Sequence, residues 1–291
     1  MNLQNIFNEL ENVDPEVYER LDDRRQAMKR FSFIGKTLAM AAIPAALGSM
    51  LKKAYGQSTP AIVLETLNFA LTLEYLEAEF YKKAVQAGTS LVPAGPATGA
   101  IATIAAHEQA HVDFLKATIT ALGGSAVAMP TFDWSAGNSA TGGGPLGNTL
   151  FTDYGTFLAV AQTFEDTGVR AYKGQAATLT SNKAVLTAAL QIHSVEARHA
   201  SHIRQMRRAN TSLGAGQVKP WITNNQSNIT TPSAPLNAQI QKSYNGEENT
   251  TQGGVPAATF TTIAAAKVTE AFDEPLTKAQ VLDIVDPFIV G

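Results

Sequence analysis

The sequence predicts an all-α protein, a four-helix bundle whose second and third helices are joined by a long crossover. Three observations predict it. Four stretches beyond residue 58 carry apolar residues at helical steps of three and four, a Gly/Ser/Pro-rich segment divides them into two pairs, and the pairs resemble each other. An N-terminal helical leader and a loop-rich C-terminal tail with short helices complete the expected architecture. The chain has 291 residues, 45% hydrophobic and 16% charged, which is enough apolar matter for a sizeable core. A net charge of -3 gives no general attraction to phosphate backbones, so no nucleic acid partner is expected. With no cysteine, disulfides, thiol nucleophiles and thiolate metal sites are excluded, and any metal must be held by nitrogen and oxygen.

The leader spans residues 1–57. Arg24 and Arg25, then Lys29 and Arg30, precede an apolar run at 37–51 that is too short to span a bilayer and matches a signal-peptide core. Ala54 and Gly56 offer small residues for cleavage. Two readings are open: a twin-arginine signal for export to the periplasm, or a retained docking helix on a cytoplasmic protein.

The bundle spans residues 58–212. Thr59 and Pro60 start the first helix, which runs to about 87 and stops at Gly88. Leu67, Leu71, Glu74, Ala78, Tyr81 and Val85 share its core stripe, and Glu79 faces solvent, where it can pair with Lys83. The second helix, about 97–122, carries Ile101, Ile104, Glu108, His111 and Leu115 on one stripe and meets Gly123 and Gly124. Residues 123–149 have no period of their own. A helix of this size is roughly 38 Å long, and a connection of that length can return along all of it. The third helix, about 152–178, places Leu158, Ala161, Glu165 and Tyr172 inward, and the fourth, about 183–209, does the same with Val185, Ala189, Ile192, Glu196, His199, Ile203 and Met206. Arg204, Arg207 and Arg208 near its end favour the helix dipole and need no ligand.

The tail covers residues 213–291. Residues 213–258, rich in Asn, Thr, Ser, Gly and Pro, wrap the surface or link. An apolar helix is expected over 261–272, and a short one after Thr277, where Gln280 can complete a capping box.

Histidine is the informative residue. All five, His107, His111, His193, His199 and His202, fall in AHEQAH and QIHSVEARHASH, and each segment contains Glu-x-x-His: Glu108 with His111 and Glu196 with His199. Residues three apart share a helix face, so each pair can reach one ion. The duplication supplies the rest, because ALTLEYLEAEFY aligns with AQTFEDTGVRAY, matching Glu74 to Glu165 and Tyr81 to Tyr172. Glu77 competes with Glu74, but its repeat partner is Gly168, which favours Glu74. Four buried carboxylates without counter-charge would be costly or would be forced to take up protons. Two divalent cations would neutralise Glu74, Glu108, Glu165 and Glu196 and leave two neutral histidines to complete the shell.

This ligand pattern resembles the ferritin-like di-iron and di-manganese carboxylate proteins. Residues 59–209 look like the bacterial ferritin-like domain family that includes desiccation-related proteins, and AFDEPLTKAQVLDIVDPFI, residues 271–289, resembles the segment beyond the bundle in that family. The resemblance implies a ferritin-like fold and two divalent metal ions, iron or manganese, on Glu74, Glu108, His111, Glu165, Glu196 and His199. Supporting places beside these ligands fall to Tyr81, Tyr172, His202 and Glu77. His107 and His193 read as surface or supporting residues. The expected chemistry is an oxidoreductase reaction with dioxygen or peroxide in oxidative or desiccation stress. The rival reading is a non-catalytic structural protein that uses the metal pair as a staple and its appendages for envelope contact or self-association. A storage cage is disfavoured because those appendages are expected to cover part of the outer bundle surface.

Overall fold

The computed structural model describes residues 60–291, so the leader expectations lie outside the described residues. Four long helices form the bundle: α1 (Ala61–Ala87), α2 (Pro96–Ala121), α3 (Tyr154–Gln175) and α4 (Lys183–Asn210). Local chemistry sets their ends. Gly88 takes the left-handed φ of 57° that stops α1, Pro96 opens α2, and Asp153 and Asn182 accept backbone N–H groups at the starts of α3 and α4. The expected ends hold to within a few residues, the widest gap being the last turn before 179, which is 3-10 helix.

Apolar packing divides into two clusters with a polar layer between them. Val63, Leu67 and Leu71 of α1 join Leu115 and Ile119 of α2 and Val185, Ala189 and Ile192 of α4 in one. Leu76 and Phe80 of α1, Ile101 and Ile104 of α2, Phe157 and Phe164 of α3, and Ile203 of α4 belong to the other. Glu74, Glu108, His111, Glu165, Glu196 and His199 occupy the interval on all four helices. Val85, expected on the core stripe, is instead exposed, while the adjacent Ala84 is the residue buried in this last turn. Glu79 pairs with Lys82 at 2.6 Å rather than with Lys83.

The crossover returns along α1 as expected. Asn68 anchors it twice, donating to the Ser125 carbonyl at 3.2 Å and accepting from the Val127 amide at 2.8 Å. Phe132 and Trp134 then reach the aromatic cluster around Phe80, and Phe132 bridges Ile289 near the C-terminus.

The tail is more ordered than its composition suggests. It contains α5 (Ala234–Lys242), a hairpin of β1 (Thr251–Gln252) and β2 (Val255–Pro256), α6 (Ala265–Val268) and α7 (Lys278–Val285). The helix expected over 261–272 shrinks to α6 and a 3-10 turn, whereas Thr277 and Gln280 form the expected capping box. Residues 213–258 hold a capped helix, α5, with Ser233 accepting the Leu236 amide. The tail crosses α3 so closely that a Cβ on Gly174 would meet the Leu276 carbonyl oxygen at 1.9 Å. Glycine is required there. As a result nearly every residue of α3 is buried, on its outer face as well as its inner one.

Candidate metal centre

Each bundle helix contributes carboxylate or imidazole to the polar layer. Glu74, Glu108, Glu165 and Glu196 are wholly inaccessible at 0%, and His111 and His199 are nearly so. They converge in two groups, Glu74, Glu108, Glu196 and His111 in one, and Glu108, Glu165, Glu196 and His199 in the other, with ligand atoms of each group within 4.8 Å of one another. Glu108 and Glu196 belong to both.

The atoms divide cleanly between the groups. His111 Nδ1 lies 3.1 Å from Glu74 Oε2, 3.2 Å from Glu108 Oε2 and 3.0 Å from Glu196 Oε1. His199 Nδ1 lies 2.8 Å from Glu108 Oε1, 3.5 Å from Glu165 Oε2 and 3.7 Å from Glu196 Oε2. Glu108 and Glu196 thus turn one oxygen toward each histidine. Glu74 serves one side only and Glu165 the other, which is the symmetry expected of a duplicated helix pair.

Two tyrosines hold the one-sided carboxylates from across the bundle. Tyr81 of α1 donates to Glu165 Oε1 of α3 at 2.5 Å, and Tyr172 of α3 donates to Glu74 of α1. Bonds of this kind orient ligands and tune their basicity. Burial, reinforced by Glu165 and Glu74 respectively, raises both hydroxyls well above the ordinary tyrosine range, so they remain donors.

Electrostatics reveal the strain of so much acid in one layer. Burial pushes Glu74 up to about 8 despite His111, and raises Glu165 well above its ordinary range despite His199. Burial also opposes ionisation of Glu196, yet the close approach of His111 and His199 holds it down to about 2. Although burial disfavours their charged forms, the carboxylates around His111 and His199 raise both imidazoles far above the ordinary histidine range. Protons stand in for a counter-charge.

A metal fits better than those protons. Glu108 Oε1, Glu165 Oε2, both Glu196 oxygens and His199 Nδ1 are buried with no hydrogen-bond partner among the described residues. Their separations are those of ion pairs, but their lone pairs do not meet donors in line. Buried polar atoms normally find partners, and five orphans aimed into one layer are what a pair of cations would satisfy. Hard oxygen donors with one imidazole per position suit iron and manganese chemistry.

Glu77 is buried beside this layer and belongs to neither group. Burial, with Glu196 next, raises its carboxyl well above the ordinary range. Gly168 lies against it, and a Cβ there would be in ordinary van der Waals contact with Glu77 Oε1 at 3.4 Å. His202, expected beside the ligands, is exposed on the wall of an open groove of about 530 Å³ with Met206, Tyr154 and Ala97. One turn beyond His199 on α4, it points outward from the bundle. His193 bonds the Val169 carbonyl at 3.0 Å and takes no part. Sequence reasoning undervalued His107, whose Nδ1 lies 2.9 Å from His199 Nε2. It sits on the surface side of its helix, next to Glu108, and nothing in its spacing announced the contact.

Fold and site together define a helical bundle with a buried carboxylate and histidine centre able to hold metal ions. The family model described as ferritin-like domain matches residues 63–209, and the chain belongs to that family. No curated protein shows significant similarity to it.

Proposed function

We propose that this protein is a binuclear iron or manganese oxidoreductase acting on dioxygen or peroxide, with Glu74, Glu108, His111, Glu165, Glu196 and His199 as metal ligands. One observation carries the proposal: Glu108 and Glu196 each present one oxygen to both histidines, so the two groups are fused into a single centre. Such a pair of ions, when bound, supplies electrons one at a time and Lewis acidity to a small oxygen species. The chain's own residues do the rest. Glu108 and Glu196 would serve both positions, Tyr81 and Tyr172 hold Glu165 and Glu74 in orientation, and the apolar clusters on either side keep bulk water out. A role in peroxide removal under oxidative or desiccation stress follows, with export by the twin-arginine route as the companion proposal for residues 1–57.

The test is element analysis of protein purified without added metal, followed by consumption of peroxide or ferrous iron. About two ions per chain and turnover that disappears in Glu108→Ala are the expected results. Metal uptake without turnover, together with a large fall in melting temperature on metal removal, would instead support the structural staple. That second reading draws on the extensive burial of the tail against α3.

A further inference from the structure

The two metal positions are related by the internal duplication, yet one contact breaks the relation. His199 turns Nδ1 into the centre and Nε2 outward, where it meets His107 Nδ1 at 2.9 Å; the two rings lie within 14° of parallel with centroids 5.2 Å apart. The two nitrogens therefore face each other nearly in the plane of both rings. His111, the repeat counterpart of His199, has no outer partner among the described residues. The reason is in the sequence: when IAAHEQAH is laid on IHSVEARH, the residue matching His107 is Val195, which has neither donor nor acceptor in its side chain.

We infer that His107 is a positioning residue that fixes the tautomer and orientation of His199, making the Glu165/His199 position the tighter of the two for a divalent cation. This rests on the metal centre proposed above. A neutral imidazole carries one N–H, and a metal requires the lone pair of the nitrogen facing it. His107 accepts the Nε2 proton of His199, which leaves Nδ1 bare toward Glu108, Glu165 and Glu196. Its own remaining N–H then faces solvent, consistent with its exposure. His111 has no such brace and must select the right tautomer and hold its ring orientation from the metal side alone. Outer partners of ligating histidines contribute about 10–100-fold to metal affinity. The two positions consequently fill in order, His199 first.

The experiment is a titration of metal-free full-length protein with Co2+, followed by ligand-field absorption in the presence of a competing chelator. The unaltered protein should bind two equivalents with distinct affinities. In His107→Ala the tighter phase weakens by about 10–100-fold while the weaker phase is unchanged. His107→Asn, whose side-chain oxygen can accept the same proton, restores much of it, and the metal-free melting temperature is the same in all three. Two equivalents with unaltered affinities in His107→Ala, or an equal loss at both positions, overturns the role of His107 and leaves the metal centre standing. No uptake by the unaltered protein overturns both.

Discussion

Two clusters of buried charge lie on opposite faces of α3, and adjacent residues, Glu165 and Asp166, belong to different ones. On the inner face the acids outnumber the bases and their lone pairs are left without partners. On the outer face the arginines and Asp166 are matched, and only Glu247 Oε2 and Ser243 Oγ lack partners among the described residues. Arg204 forks onto Asp166 at 2.9 and 2.6 Å, and Tyr244 donates to the same carboxylate at 2.8 Å. Arg207 donates to Gln162 at 2.5 Å and to the Asn228 carbonyl at 2.8 Å, and Arg170 pairs with Glu247 at 2.6 Å while its other nitrogens reach the carbonyls of Ser243 and Asn245. These arginines are about as buried as the glutamates, at 1% exposure each. The difference teaches what each is for. A cluster that closes its own hydrogen bonds holds the tail to the bundle; one that leaves them open is prepared for a ligand from outside.

Mutations should separate the two. Asp166→Ala strands Arg204 in the interior and is expected to cost about 3–5 kcal/mol in denaturant unfolding, whether or not metal is present. A loss that vanished on adding metal would break the comparison. Glu108→Gln should act in the opposite sense: metal-free stability changes little, but the gain on metal addition, about 2.7 kcal/mol for unaltered protein at a hundredfold excess over its dissociation constant, disappears. Thermal melts with and without Mn2+ read this directly.

The pH response sharpens the contrast further. Glu74, raised by burial to about 8 from 4.5, contributes stability that is complete below pH 4.5 and lost as pH climbs through 8. His111 and His199, also raised, act in the same direction above their ordinary range. Metal-free protein should thus lose on the order of 2 kcal/mol between pH 5 and pH 8, and loaded protein should not, because the ions displace those protons. Equilibrium unfolding at the two pH values decides it. The smallest effect belongs to the tyrosines. Tyr172→Phe is expected to cost about 0.5–1.5 kcal/mol in stability, while metal affinity, measured by competition with a chelator, falls about 10–100-fold.

The inner cluster was legible in the sequence and the outer one was not. Glu74, Glu108, Glu165 and Glu196 interrupt apolar stripes, the duplication pairs them, and the family resemblance joins them into one ligand set. Arg204 and Arg207 lie near a helix end, where a favourable dipole is sufficient explanation, and nothing in the spacing singles out Asp166 or Arg170. Only the tail reveals them as interior, and its partners for them are largely backbone carbonyls, which carry no side-chain signature. Helix α5 was hidden for a related reason: nine residues give too few turns for a periodic stripe. His202 misled because spacing from His199 specifies a helix face but not which neighbour covers it.

The crossover and the C-terminal segment meet like the halves of a clasp. Asp133 donates its amide to the Phe288 carbonyl at 2.8 Å, Val290 donates to the Thr131 carbonyl at 3.0 Å, and the Phe288 ring stands edge-on to Phe164 of α3. During synthesis the middle of the chain must therefore wait for Phe288 and Val290 to emerge from the ribosome before that side of α3 can be shut away from water. Closure of this half comes late by construction, and a chain cut short before Asp286 would be left with its aromatic seam ajar.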